Sequence, residues 1–134
     1  MATGQTKDAG WNIGVSKTLP YPVSDVWDFV ISPAGVTLWL GKGAELADGA
    51  AYKTADGTVG EVRSLHENDR VRLTWQPHDW SHESTVQVAV SAAGSKTVLR
   101  FHQERLADAD ERERQRTHWQ QVMAAMIEGL DGRK

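Results

Sequence analysis

The hydrophobic periodicity of this chain changes once in its C-terminal half, and that change limits what the chain can fold into. Four short runs, Thr58 to His66, Arg70 to Gln76, Ser84 to Ser91 and Thr97 to Gln103, alternate side chains with a period of two. That period belongs to strands with one buried face. Val71, Leu73 and Trp75 alternate with Arg72 and Thr74, while Val86, Val88 and Val90 share a face, as do Thr97, Leu99, Phe101 and Gln103. Farther on, Trp119, Val122, Met123, Met126, Ile127 and Leu130 recur at helical spacing. They predict one long helix from about Asp108 or Asp110 to Gly129. The turn clusters Glu67-Asn68-Asp69 and Ala92-Ala93-Gly94-Ser95 are short, so consecutive strands should pair as an antiparallel meander.

The N-terminal half supplies one more strand and a pair of short helices. Trp11, Ile13 and Val15 alternate with Asn12, Gly14 and Ser16, predicting a strand over about 11–18 that ends before Pro20 and Pro22. Val23, Val26, Trp27 and Val30 then mark one face of a helix beginning near Ser24 or Asp25. Ser32 is placed to cap a second helix with Pro33 at its first position, and Val36, Trp39 and Leu40 would point inward from it. Residues 41–57 read as a loop with a weak strand near Ala50 to Thr54 and a turn at Asp56-Gly57. The expectation is an α+β domain over 11–130, preceded by a polar, frayed 1–10 and followed by a short tail at 131–134. Its antiparallel sheet of about six strands is too large for the two short helices to cover, so the long C-terminal helix must lie across the concave face.

Composition narrows the function classes. A length of 134 residues fits one domain. Cysteine is absent, which removes disulfides, thiolate catalysis and thiolate metal sites. Fifteen basic residues against eighteen acidic ones give a net charge of −3, without the excess of cations that a nucleic-acid-binding surface needs. The start has no apolar run like a signal-peptide core, and no window approaches a membrane span, so membrane insertion is not expected and a cytoplasmic location is. The charged run Asp110 to Arg116 reads as a solvated helix face, with its acidic residues toward the helix N-terminus.

Several segments together resemble a known family. Pro22-Val-Ser-Asp-Val-Trp27-Asp-Phe-Val-Ile-Ser-Pro33, followed by Trp39, is similar to the opening of START-like domains, the SRPBCC or birch-allergen-like superfamily. The nearest likeness is to the branch named after the activator of the heat-shock protein 90 ATPase. Gly60-Glu-Val62, Arg70-Val-Arg-Leu-Thr-Trp75, Thr97-Val-Leu-Arg-Phe101 and Trp119 with Met123 and Met126 follow in that branch's order, so the resemblance covers about residues 11–130. It implies a helix-grip fold, in which a curved sheet wraps the C-terminal helix and leaves a cavity between them. Two positions depart from the branch's pattern. Its strand histidine corresponds most closely to Gln103, with His102 on the opposite face, and the glycine before the helix tryptophan is His118.

The candidate cavity lining is Trp39, Leu73, Trp75, Val86, Val88, Leu99, Phe101, Gln103, Trp119, Val122, Met123 and Met126, with Trp80 at the mouth. Such a surface suits a flat or branched hydrophobic small molecule, with Gln103 as its one polar handle. The alternative is that these side chains meet and close the core. His78 and His82 stand four apart beside Asp79 and Glu83, but Pro77 and Trp80-Ser81 place them in a loop, so no metal site is assigned. No catalytic constellation stands out: Ser64, Ser84 and Ser91 lack an evident facing base, and no cofactor-binding motif occurs. Glu61, Arg63, His66, His102 and Glu104 would face inward only if the strand phase were reversed. The leading expectation is a binding domain for a hydrophobic small molecule, without a cofactor. The alternatives are a cyclase-, aromatase- or hydrolase-like enzyme on aromatic or polyketide-like substrates, and a chaperone-associated interaction domain. A protein partner or a homodimer fits either class.

Overall fold

Short turns force neighbouring strands to pair in sequence, and the structure is built on that rule. The computed structural model describes residues 5, 6 and 10–132, with side chains from 11 to 132. Its strands are β1 (Gln5–Thr6), β2 (Gly10–Leu19), β3 (Ala51–Lys53), β4 (Val59–His66), β5 (Arg70–Trp75), β6 (Ser84–Ala93) and β7 (Lys96–Leu106). They form one sheet in the order β1-β2-β7-β6-β5-β4-β3, with every pairing antiparallel. Strands β4 to β7 are the expected meander, the weak strand near 50–54 extends it as β3 against β4, and β2 joins its far side against β7. The helices are α1 (Val23–Ile31), α2 (Pro33–Trp39) and α3 (Ala109–Asp131). The fold is the α+β helix-grip arrangement that the periodicity and the resemblance imply. Among the described residues, no helix is long and apolar enough to cross a membrane. The frayed stretch expected at 1–10 lies largely outside the described residues, although Gln5 and Thr6 pair with Trp11 and Gly10. Residues 133 and 134 of the expected tail also lie outside them.

One serine makes the elbow between the first two helices. The Ser32 N–H and hydroxyl both donate to the Phe29 carbonyl, at 3.1 and 2.6 Å, which satisfies the end of α1. The same hydroxyl accepts from the Gly35 N–H at 3.1 Å and so caps α2. Gly35 is required there, because a Cβ would lie 1.8 Å from the Phe29 carbonyl oxygen. The elbow presents Val26, Trp27, Phe29, Val30, Val36 and Trp39 to the core, each at most 4% exposed.

Helix α3 starts on a reciprocal pair of bonds. Asp108 caps it by accepting from the Glu111 N–H at 2.7 Å, and Glu111 Oε1 accepts from the Ala107 N–H at 3.0 Å. This closely follows the capping-box logic, in which two orphan donors are satisfied together. Its far end is tied by Tyr21, whose hydroxyl donates to the Asp131 carboxylate. The charged run at 110–116 is only partly a solvated face. Asp110, Glu113 and Arg114 are exposed, whereas Glu111 and Gln115 are buried. Glu111, Gln115, Trp119, Val122, Met126 and Leu130 form one inward stripe with spacings of three and four, so the polar start of the helix faces the sheet as well.

Replacing Ser32 by Ala removes one cap and is expected to cost about 1 kcal/mol. Gly35→Ala should cost more, above ~2 kcal/mol, because the new methyl group collides with backbone and not with a flexible side chain. Urea unfolding midpoints check the order, and a neutral Gly35→Ala would refute the elbow geometry.

Candidate functional site

The inner face of the sheet is set by strand phase. On β5, β6 and β7 the residues Leu73, Trp75, Val86, Val88, Leu99, Phe101 and Gln103 point toward α3, which returns Trp119, Val122, Met123 and Met126, while α2 adds Trp39. These twelve positions are 0 to 7% exposed. The eleven apolar ones belong to a single core cluster, and the Phe101 and Trp119 rings stack with centroids 5.1 Å apart. The structure thus brings the sequence-predicted lining together as one contiguous set of contacting side chains.

Gln103 is the polar hub of this interior. Its Oε1 accepts from Trp119 Nε1 at 2.9 Å and from Gln115 Nε2 at 3.0 Å, and its Nε2 donates to the Ser84 hydroxyl at 2.9 Å. The Ser84 hydroxyl donates to the Trp75 carbonyl at 2.9 Å. An indole N–H can only donate, so it fixes which end of the Gln103 amide faces α3 and gives the whole chain of bonds one direction. Gln115 and Ser84 complete a network of which sequence reasoning had named only Gln103 as the handle. The available signal was the position of Gln115 one turn before Trp119, on the same helix face.

One end of this packed interior is aromatic. Trp75 packs edge-on against Trp80 with ring centroids 5.1 Å apart, and His118 lies 6.0 Å from Trp75 and 4.7 Å from Trp119. Trp80 is half-buried at this end, where it stacks on His82 at 4.8 Å. His82 Nε2 in turn lies 2.8 Å from Glu111 Oε1, which ties the β5–β6 loop to the start of α3. His118, standing where the family pattern has glycine, is thereby part of the rim. Trp75 Nε1 and His118 Nε2 are buried without a hydrogen-bond partner among the described residues. Native interiors seldom leave such atoms unpaired. Burial holds the His118 imidazole below its ordinary value, so near neutral pH it is an uncharged donor or acceptor.

The remaining polar candidates are elsewhere. Glu61, Arg63 and His66 are exposed, and His102 and Glu104 lie on the outer face of β7. His78 is exposed and packs beside Gly57, away from the Glu111 contact that His82 makes. Among the described residues no group of three or more His, Asp or Glu side chains could hold a metal ion. Ser84 is the buried serine, but its hydroxyl proton goes to a backbone carbonyl and its other partner is an amide, so it has no base. Among the described residues three cavities open at the surface, and none of them includes the side chains packed between the sheet and α3. One of about 350 Å³ is lined by Trp27, Ile31, Leu46, Leu65 and Glu67. A second of about 280 Å³ lies between α2 and the 43–46 loop. The third, of about 580 Å³, covers the outer face of the sheet and includes Arg72, Arg100 and His102.

Comparison with known proteins places this geometry. The family model described as Activator of Hsp90 ATPase homolog 1-like protein matches residues 20–130. Among solved structures, DynU16, a protein of the dynemicin biosynthetic locus, is 22% identical with a TM-score of 0.80. The match covers 92% of this chain but 48% of DynU16, so this chain spans about half of that protein. CalU16 from Micromonospora echinospora is 18% identical with a TM-score of 0.80, over 95% of this chain and 80% of that one. PFC0360w, an HSP90 activator from Plasmodium falciparum, is 21% identical with a TM-score of 0.74, over 92% and 97%. At these identities the likeness is one of fold. No curated protein matches the chain.

Gln103→Leu leaves the Trp119 indole and the Gln115 amide without their acceptor, at about 1–3 kcal/mol for each orphaned group. It should therefore destabilise the protein more than Ser84→Ala does, by urea unfolding. Acid sensitivity follows from the histidines. Burial also lowers His102, an effect strengthened by Arg100 and Arg72 and opposed by Glu104. A histidine whose pKa is depressed on folding adds stability that is present above its unfolded value and is lost as pH falls through the folded one. Stability should thus decline as the pH drops below about 6.5. His118→Gln should flatten part of that decline, and an unchanged pH profile would contradict the burial of its ring.

Proposed function

The chain belongs to the Activator of Hsp90 ATPase homolog 1-like family, and on that premise we propose that it binds a hydrophobic small molecule at the groove between the sheet and α3. The ligand enters at the aromatic end, where Trp75, Trp80 and His118 meet. The observation that carries this reading is the pair of buried, unpartnered nitrogens, Trp75 Nε1 and His118 Nε2, on rings 6.0 Å apart. A polar atom buried without a partner costs on the order of 1–3 kcal/mol, and a bound group that supplies the missing bond recovers it. The ligand this favours is flat and mostly apolar, with a carbonyl or hydroxyl on one edge. The oxygen accepts from the Trp75 N–H, the His118 imidazole completes the contact, and the Trp80 indole covers the exposed face. Phe101, Trp119 and the Gln103 amide form the floor. Met123 and Met126 yield space there, because an unbranched thioether changes rotamer at little cost.

DynU16 belongs to a biosynthetic locus, but its identity of 22% over 48% of its length supports the shared fold, so the small-molecule reading rests on the geometry of the site. The activator likeness supports the shared fold, but its identity of 21% carries no partner over to this chain. An enzymatic version of the site would need an acid or base beside the ligand. His118 is the ionisable group best placed for that, and it has no second group to position it.

Titration with the neutral probe N-phenyl-1-naphthylamine tests the proposal. Saturable uptake should quench Trp fluorescence and shift the Trp75 indole N–H resonance. Trp80→Ala should weaken uptake about tenfold, the ~1.4 kcal/mol expected for losing one aromatic contact. Met123→Trp should abolish it by filling the floor. Uptake that is absent, or unchanged in both variants, would overturn the reading.

A further inference from the structure

Strand β7 carries a second surface on its other side. The residues that alternate with Leu99, Phe101 and Gln103 are Val98, Arg100, His102 and Glu104, and they face away from α3. The sheet register sets their neighbours: Arg100 lies between Ser16 on β2 and Ala89 on β6, and His102 lies between Gly14 and Gln87, with Arg72 of β5 beyond. Long side chains thus stand in rows with very short ones. A row of small residues beside tall ones makes a trough, and this one has a volume of about 580 Å³. Gly14 makes room for the Arg100 side chain, because a Cβ there would sit 3.3 Å from Arg100 Nη2. The guanidinium therefore lies along the sheet and over the glycine.

The charges in the trough are unbalanced. Glu104 is already shared between Arg72, at 3.1 Å, and His102, at 3.6 Å, and Arg72 also donates to Gln87 at 3.3 Å. Arg100 makes no ion pair among the described residues. Two arginines and a histidine therefore share one carboxylate, in a chain whose net charge is −3. The excess is local to this face. A guanidinium presents paired N–H donors that match the oxygens of a phosphate or carboxylate, and a concave setting strengthens such bonds. Ser16 and Ser91 add hydroxyls at the edge, and Val98 and Ala89 offer apolar surface beside them. The volume falls in the range of small-molecule sites and far exceeds that of a single inorganic ion.

We propose that the outer face of the sheet is a binding site for a small organic oxyanion, held by Arg100 and Arg72 over Ser16 and Ala89. The site is independent of the groove beneath α3, since β7 separates the two. It also has a spectroscopic reporter. His102 is faced by Arg100 and Glu104 on its own strand and by Arg72 on β5, and its other neighbours, Gln87 and Gly14, are uncharged. An anion bound beside it offsets the two arginines and moves its titration upward.

The experiment is a two-dimensional amide NMR titration of the whole chain with pyrophosphate and, separately, citrate, against sodium chloride at equal ionic strength. Expected are saturable shifts at Ser16, Ala89 and Arg100, a higher His102 titration midpoint in the saturated protein, and an unmoved Trp75 indole resonance. Pyrophosphate binding tighter than citrate assigns the ligand to phosphates, and the reverse order assigns it to carboxylates. Arg100→Gln should weaken either probe at least tenfold. Gly14→Val, whose side chain displaces the Arg100 guanidinium without removing a charge, should weaken it similarly. Glu104→Gln, which frees Arg72, should strengthen it a few fold. Shifts that sodium chloride reproduces, shifts that do not saturate, or affinities unchanged in both Arg100→Gln and Gly14→Val would overturn the proposal. If the oxyanions fail while the neutral probe still binds, the groove reading stands without this one.

Discussion

The contact on which the interior depends is the one between Gln103 and Trp119. A long helix lying across a sheet needs something to fix its height and rotation, and apolar contact alone is tolerant of both. Here a directed chain of hydrogen bonds runs from the Trp119 N–H through the Gln103 amide and the Ser84 hydroxyl to the Trp75 carbonyl. It links α3, β7, β6 and β5 in one line. Burying an amide and an indole N–H is costly unless every member is paired, so the network penalises other rotations of the helix that the surrounding Val, Leu and Met side chains would accept. The Phe101–Trp119 stack then follows from where the indole is held.

The same strand that anchors the helix also builds the opposite face. With a period of two, Leu99, Phe101 and Gln103 cannot point inward without Arg100, His102 and Glu104 pointing outward. The inner face is apolar with one hydrogen-bonded network, and the outer face is charged, with Arg100 outside the ion pairs found among the described residues. These are different chemistries on one strand, and neither depends on the other for its polar contacts. The two proposed sites are therefore consequences of one register, and a slip of one residue between β6 and β7 would destroy both.

Much of this was legible before the structure. The phases of β6 and β7, the Ser32 cap and the inward residues of α3 all follow from periodicity and capping chemistry. They are local rules, and the structure obeys them. The buried Glu111 and Gln115 were not legible in the same way, because a filter for apolar residues reads a charged run as solvent-facing. Their spacing to Trp119 carried the signal, but only the sheet opposite decides whether a polar side chain on that stripe finds a partner. The rim was hidden for a similar reason. Trp80, His82 and Glu111 come from a loop and a helix start that are 28 or more residues apart, and no periodic pattern connects them. The trough on the outer face likewise needs the β2–β7 pairing, which joins residues about 85 apart and which no turn sequence dictates.

The two departures from the family pattern are connected through this geometry. A neutral imidazole offers a single acceptor nitrogen with one lone pair, whereas an amide oxygen has two. At position 103 the oxygen takes two donors, Trp119 Nε1 and Gln115 Nε2, so glutamine does there what one histidine ring could not. The Gln103 oxygen is thereby committed to two donors inside the protein. At position 118 the chain places an imidazole where the pattern has glycine, against Trp75 and Trp119, and its Nε2 remains unpaired. Within this chain unpaired hydrogen-bonding nitrogens therefore lie on Trp75 and His118 and not at Gln103. The proposed ligand is on this account oriented from the entrance, with its apolar body toward the floor and its oxygen near the Trp75 and His118 rings.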